Sequence, residues 1–270
     1  MKKLLLGVAL PALVLVVIAL LQEPMDHQEA EAPPPLGPEP ASEIERGRAL
    51  VLLADCKACH TARGGPAFAG NRAIPTAFGT FFSPNITPDP ETGIGRWSEQ
   101  DFWQALHQGR SPDGRLLYPA FPYPNYTRIS RRDARAMFAY LRSVPPVRAP
   151  SNPHEIDFPY NQRFLLAAWR RLYFRPGVYA ADSRATAAWN RGAYLVEAVA
   201  HCGACHEARN SLGGTSTHAS AAGGLVLSWY APALNDPREA GLSHWSEEDI
   251  VALLSSGRTS HQQDPAPRAA

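Results

Sequence analysis

A repeat governs what this chain can fold into. The pentad Cys56-Lys57-Ala58-Cys59-His60 returns as Cys202-Gly203-Ala204-Cys205-His206, 146 residues further on. Trp97-Ser98-Glu99-Gln100-Asp101 returns as Trp245-Ser246-Glu247-Glu248-Asp249, and Gly109-Arg110 as Gly257-Arg258, both at an offset of 148. Arg46-Gly47 precedes the first pentad and Arg191-Gly192 the second. A near-constant offset across several separate motifs means two copies of one small domain rather than a single long core. The first copy is expected over residues 42–145 and the second over 183–270, with a linker or strap over 146–182.

Within each copy the pattern predicts helices. Ser42-x-x-Glu45, Ser98-x-x-Asp101, Ser130-x-x-Asp133 and Ser246-x-x-Asp249 are helix starts, in which a hydroxyl accepts from an otherwise unpaired backbone N–H. Apolar residues follow at helical spacing: Phe102, Ala105 and Leu106; Met137, Phe138 and Leu141; Ile250, Leu253 and Leu254. No strand-like alternation of any length is visible, so the expected fold class is all-α. Between the helices run loops rich in glycine and proline, such as 64–96 and 111–126, in a chain with 26 prolines. So much loop requires something large and apolar to pack on.

The pentads say what that is. All four cysteines of the chain lie in them, so none remains for a structural disulfide. A two-residue spacer puts two thiols one helical turn apart, placed to add across the two vinyl groups of a haem, and the next residue is a histidine able to ligate the iron. Cys56, Cys59, Cys202 and Cys205 are therefore candidate covalent attachment points for two haems c. His60 and His206 are the candidate axial ligands. Two C-x-x-C pairs could also hold zinc, but zinc needs no histidine after each pair. A thioredoxin-like dithiol would sit beside a strand–helix unit, which the pattern does not show.

The N-terminal residues point to export. Lys2 and Lys3 precede an apolar run from Leu4 to Leu21, and no small-x-small cleavage site follows it. Residues 1–22 are thus expected to form a membrane anchor or signal helix, with the rest of the chain on the outer side. Residues 23–41 are acidic and proline-rich and read as a tether. The formal charge of +1 excludes a global basic field of the kind that binds nucleic acid.

The segments Gly64-Gly65-Pro66, Phe78-Gly79-Thr80, Asn85-Ile86-Thr87-Pro88-Asp89, Tyr118-Pro119-Ala120-Phe121-Pro122-Tyr123-Pro124 and Trp229-Tyr230-Ala231-Pro232-Ala233-Leu234-Asn235 join the pentads to give a family resemblance. From about residue 43 to 260 the chain resembles multi-haem cytochrome c subunits of bacterial membrane-bound dehydrogenases. Those subunits serve alcohol, gluconate and sorbitol dehydrogenases, and related ones serve molybdenum hydroxylases of the aldehyde, nicotinate or isoquinoline type. The resemblance implies two class I cytochrome c domains at the periplasmic side of the cell membrane, with no substrate chemistry of their own. Electrons would come from a quinoprotein, flavoprotein or molybdenum catalytic subunit and leave to quinone or a terminal oxidase.

It also exposes departures. Where the family carries a distal methionine in the Tyr-Pro-Ala-x-Pro-Tyr segment, this chain has Phe121. The second copy has no methionine at the matching place, and the segment from His261 to Ala270 is unlike the family and reads as an incomplete second domain. The three methionines are Met1 and Met25, in the expected anchor and tether, and Met137, in the last expected helix of the first copy, which reads as a core side chain before a ligand. The distal ligands are therefore unassigned, with His107 the first substitute to test, and a ligand-binding or sensor module with open distal sites is the alternative function. Arg72, Arg110 and Arg258 are candidates to meet haem propionates. Gly47 and Gly192, each inside an expected helix, imply close helix crossings, the first against Tyr140. The apolar stretch Phe164–Trp169 in the linker reads as a strap helix or a partner-docking face.

Overall fold

A computed structural model describes residues 32–34, 40–215, 221–226, 229–239 and 241–258. Contacts divide the chain into two compact units, one ending at Ala200 and the other starting at His201. The expected helix over residues 1–22 lies outside the described residues, as does most of the expected tether. Among the described residues no helix is long and apolar enough to cross a membrane.

The first unit is built on a crossed pair of helices. Helix α1 (Glu43–Leu53) starts where the Ser42 hydroxyl accepts from Glu45 N–H at 3.1 Å. The one-turn helix α2 (Cys56–Cys59) follows directly. Helix α3 (Glu99–Gln108) opens with a reciprocal box between Ser98 and Asp101, and Gly109, at φ 57°, closes it. The one-turn helix α4 (Tyr123–Tyr126) leads to α5 (Arg131–Ser143), which is capped by Ser130. Where α1 crosses α5 the backbones nearly touch. A Cβ on Gly47 would lie 1.8 Å from the Ala136 carbonyl oxygen and 2.9 Å from Tyr140 Cβ, so only glycine fits. The core around the crossing includes Val51, Ile129, Met137 and Leu141, all essentially inaccessible. Burying each such side chain stabilises the fold by about 1.5–3 kcal/mol. Phe102 of α3 stacks on Phe138 of α5, with ring centroids 5.2 Å apart.

The expected all-α class is corrected by two small antiparallel sheets. In the first unit, β1 (Ala73–Thr76) pairs with β2 (Gly79–Phe82), and β3 (Glu155–Ile156), from the segment after α5, adds to the outer edge of β2. These strands are too short, and too interrupted by Pro75 and Gly79, to show alternation in sequence. Gly79 makes the sheet possible. Its φ is 112°, and a Cβ there would lie 2.3 Å from the Glu155 carbonyl oxygen. Helix α6 (Leu165–Tyr173) then lays Leu166 on Phe81 and Tyr118. Arg170 is buried with its guanidinium over the Tyr123 and Phe174 rings, at 5.1 and 4.5 Å.

Helix α7 (Ala187–Tyr194), continued by a π-helical turn (Leu195–Val199), belongs by its contacts to the first unit. Tyr194, Ala198 and Val199 are part of the main core. A buried polar knot holds α7 there. Asp133 is fully inaccessible; Arg46 Nε donates to its Oδ1 at 2.7 Å and Tyr194 Oη to its Oδ2 at 2.6 Å. Burial, together with the Asp133 charge beside it, raises the Tyr194 phenol's pKa far above its usual range. Pro33, buried, accepts from Arg191 Nη1 at 3.1 Å, so the described part of the expected tether is docked on α7. The expectation for Gly192 fails: a Cβ there meets nothing within 4 Å.

The second unit contains the one-turn helix α8 (Gly203–His206), a hairpin of β4 (Gly224–Val226) and β5 (Trp229–Ala231), a 3-10 turn (Leu242–His244) and α9 (Glu247–Ser256). Ser246 caps α9 by accepting from Asp249 N–H at 3.1 Å.

Candidate haem-attachment sites

Each pentad is set by a local backbone device. Asp55 takes a left-handed conformation, φ 52°, which ends α1 and turns the chain into α2. Cys56 and Cys59 then fall three residues apart on one turn and share a face. His60 N–H donates to the Cys56 carbonyl at 2.9 Å, closing the turn. Below it, Tyr126 Oη donates to the Ala54 carbonyl at 2.7 Å, tying the approach to the pentad to α4.

The histidine is held by its far nitrogen. His60 Nδ1 lies 2.8 Å from the Pro84 carbonyl oxygen. A carbonyl only accepts, so Nδ1 carries the proton and Nε2 presents its lone pair. Burial holds the His60 pKa below its usual value against the opposing Pro84 hydrogen bond, which keeps the ring neutral near pH 7. The second pentad repeats the arrangement. His206 N–H donates to the Cys202 carbonyl at 3.0 Å, and His206 Nδ1 lies 2.8 Å from the Pro232 carbonyl oxygen. Gly70 N–H donates to the His60 carbonyl at 2.8 Å, and Gly223 N–H to that of His206 at 2.9 Å. Two separate units thus converge on one way of aiming an imidazole.

The first thiol of each pentad is shifted by its surroundings. Burial, then Cys59 and then Asp55, push the Cys56 thiol up to about 12. Burial, then Cys205, raise that of Cys202. Among the described residues no group of three or more His, Cys, Asp and Glu side chains is placed to hold a metal ion. Two thiols on one face, with a neutral histidine aimed by a backbone carbonyl, suit a haem bound through thioethers and one axial nitrogen.

The distal candidates fall elsewhere. Phe121 is half-buried against the core, its ring centroid 5.4 Å from that of Tyr126. His107 is buried, with Nδ1 2.8 Å from the Thr127 carbonyl oxygen and its ring stacked on Trp103 at 4.4 Å, the position of a core histidine. Met137 is fully buried in α5 among core residues. Arg72 and Arg258 are exposed, and Arg110 Nη1 donates to the Gly114 carbonyl at 3.4 Å. Pro84 and Pro232, the orienting groups, were missed by the sequence reading. Their signal was available: both follow an aromatic pair and one small residue, at the repeat's own offset of 148.

Paired one-turn Cys-x-x-Cys-His helices with carbonyl-pinned histidines are the mark of a c-type cytochrome, and this chain belongs to that family. The cytochrome c family model matches residues 44–145. Over 228 residues the chain is 36% identical to a dihaem c-type cytochrome of Cereibacter sphaeroides, an alignment that takes in 80% of this chain and 74% of that protein. It is 47% identical over 226 residues to a nicotinate dehydrogenase subunit of Pseudomonas putida, covering 83% of this chain and 19% of that protein. It is 39% identical over 244 residues to the fructose dehydrogenase cytochrome subunit of Gluconobacter japonicus, covering 87% and 50%. The chain spans about a fifth of the Pseudomonas protein and half of the Gluconobacter one. Membership in the family implies covalently bound haem c.

Proposed function

We propose that the chain carries two haems c and relays electrons from the catalytic subunit of a dehydrogenase towards quinone or a terminal oxidase. The observation that carries this reading is the matched pair of imidazoles, each 2.8 Å from a proline carbonyl beside a Cys-x-x-Cys turn. Relatives named as cytochrome subunits of fructose, alcohol and gluconate dehydrogenases support the partner. Its place in this reading is the periplasmic side of the cell membrane, next to a quinoprotein, flavoprotein or molybdenum subunit.

When bound, haem supplies one-electron cycling of its iron between ferrous and ferric states. The chain does the rest. Cys56 and Cys59, and Cys202 and Cys205, would fix the cofactor covalently. His60 and His206 would each ligate through Nε2 while Pro84 and Pro232 keep the proton on Nδ1, which fixes the ring and raises its basicity. The Tyr126 hydrogen bond to the Ala54 carbonyl ties the approach to the first pentad to α4.

The test is rapid mixing of the oxidised protein with the catalytic subunit and its substrate. Both haems should reduce within turnover, and His60→Ala and His206→Ala should each abolish one phase. Reduction no faster than without the catalytic subunit would refute the relay.

A further inference from the structure

Three residues of one short loop hold left-handed backbone: Phe68 at φ 62°, Gly70 at 77° and Asn71 at 61°. The loop thus accepts L side chains in that conformation, so strain alone does not call for glycine at position 70. Space does. A Cβ on Gly70 would lie 2.5 Å from the Pro84 carbonyl carbon, 2.6 Å from its oxygen and 2.6 Å from Asn85 N. These are backbone atoms, and the oxygen is the one that faces His60 Nδ1 at 2.8 Å.

The Pro84 peptide is held on both sides of this contact. Asn71 N–H donates to the Ser83 carbonyl at 2.7 Å, and Ser83 N–H to the Arg72 carbonyl at 3.1 Å. Beyond the proline, Ile86 N–H donates to the Phe68 carbonyl at 2.9 Å. Residues 68–72 and 83–86 are therefore laced together, and a side chain at 70 must displace the proline carbonyl or break the lacing. Gly70 N–H also donates to the His60 carbonyl at 2.8 Å. One glycine thus serves both ends of the histidine: its amide holds the backbone, and its bare Cα backs the group that orients the ring.

The second unit repeats the device with a looser fit. Gly223 has φ 84°, and its N–H donates to the His206 carbonyl at 2.9 Å. A Cβ there would lie 3.1 Å from Ala233 N, the amide that follows Pro232 as Asn85 N follows Pro84. Its nearest obstacle is Tyr230 Oη at 2.4 Å, the tip of an exposed side chain.

We infer that Gly70 and Gly223 are positioning residues for the two axial histidines, each holding a histidine carbonyl and leaving room for the proline peptide that orients the ring. This inference rests on the haem-binding reading above. An imidazole whose Nδ1 proton is bound by a carbonyl is the stronger donor and favours ferric iron. Displacing that carbonyl should therefore raise the midpoint potential of the haem concerned.

The test is a redox titration of the full-length, haem-loaded protein carrying Gly70→Ala, beside Gly64→Ala. Gly64 has nearly the same φ, 74°, but nothing lies within 4 Å of its Cβ position, so it takes the strain without the collision. Gly70→Ala should raise one midpoint and leave the other, and Gly64→Ala should move neither. Gly223→Ala should raise the other midpoint, by less, since a side-chain tip yields more readily than backbone. In Gly70→Ala the His60 Nδ1 proton should also exchange with solvent faster, read by NMR. A role in folding alone would lower the melting temperature of Gly70→Ala with both midpoints unmoved, which would overturn the inference. An equal shift in Gly64→Ala would overturn it too. Should Gly70→Ala fail to accumulate, Gly223→Ala decides: an unmoved midpoint overturns the inference. Absence of haem from the unaltered protein, read from its absorbance, would instead refute the haem-binding reading, and this inference with it.

Discussion

At the scale of single residues, chemistry and scaffold separate cleanly. The six pentad side chains are legible because their spacing is the chemistry: two thiols one turn apart and a histidine next to them. The residues that aim them were not. Pro84 and Pro232 act through backbone carbonyls, which a sequence shows only as prolines, and they lie 24 and 26 residues from their histidines. Phe121 has consequences of its own. Phenylalanine cannot ligate iron, so in our reading the first haem lacks a methionine ligand. The oxidised protein should show no methionine–iron charge-transfer band from that haem, and Phe121→Met should introduce the band and raise that haem's midpoint potential in a redox titration. Asp133 is the other decisive residue. Asp133→Ala removes a buried carboxylate from both Arg46 and Tyr194 and should destabilise the first unit by about 3–5 kcal/mol in denaturant titration. Tyr194→Phe, which spares the Arg46–Asp133 pair, should cost about 1–3 kcal/mol.

At the scale of elements, helices were readable and strands were not. Each helix start chosen from Ser-x-x-Asp or Ser-x-x-Glu is capped by that serine, because capping is local and needs no tertiary information. The sheets escaped notice for the opposite reason. Strands of two to four residues carry no periodic signal, and β3 reaches its partner from more than 70 residues away. The two repeat glycines make the point within one motif. Gly47 lies under α5, with Ala136 O 1.8 Å from where a Cβ would be, whereas Gly192 has open space. Gly47→Ala should therefore cost about 2–3 kcal/mol. Gly192→Ala should be neutral or stabilise α7 by up to about 1 kcal/mol through helix propensity. Thermal unfolding of the two variants side by side checks both, and equal effects would mean the crossing has been misread.

At the scale of the whole molecule, duplication was the strongest thing in the sequence, and the structure gives it physical content. Each unit builds its own histidine clamp from the same elements: a one-turn helix, a hairpin and the proline that follows it. The duplication is not uniform. In the first unit the hairpin is sealed by β3 and α6; in the second it is exposed. Sequence could not reveal this, because sealing depends on a segment outside the repeat whose pattern announces only a helix. Helix α7 adds a similar lesson. It carries the second Arg-Gly pair, yet its buried face packs in the core of the first unit, through Tyr194, Ala198 and Val199. The central claim is that both pentads of this c-type cytochrome bind haem covalently. The most direct measurement is the pyridine haemochrome absorbance per polypeptide, taken with the intact mass after denaturation. Two covalent haems per chain are predicted, falling to one when Cys202 and Cys205 are both replaced by alanine. One haem or none in the unaltered protein would contradict the account.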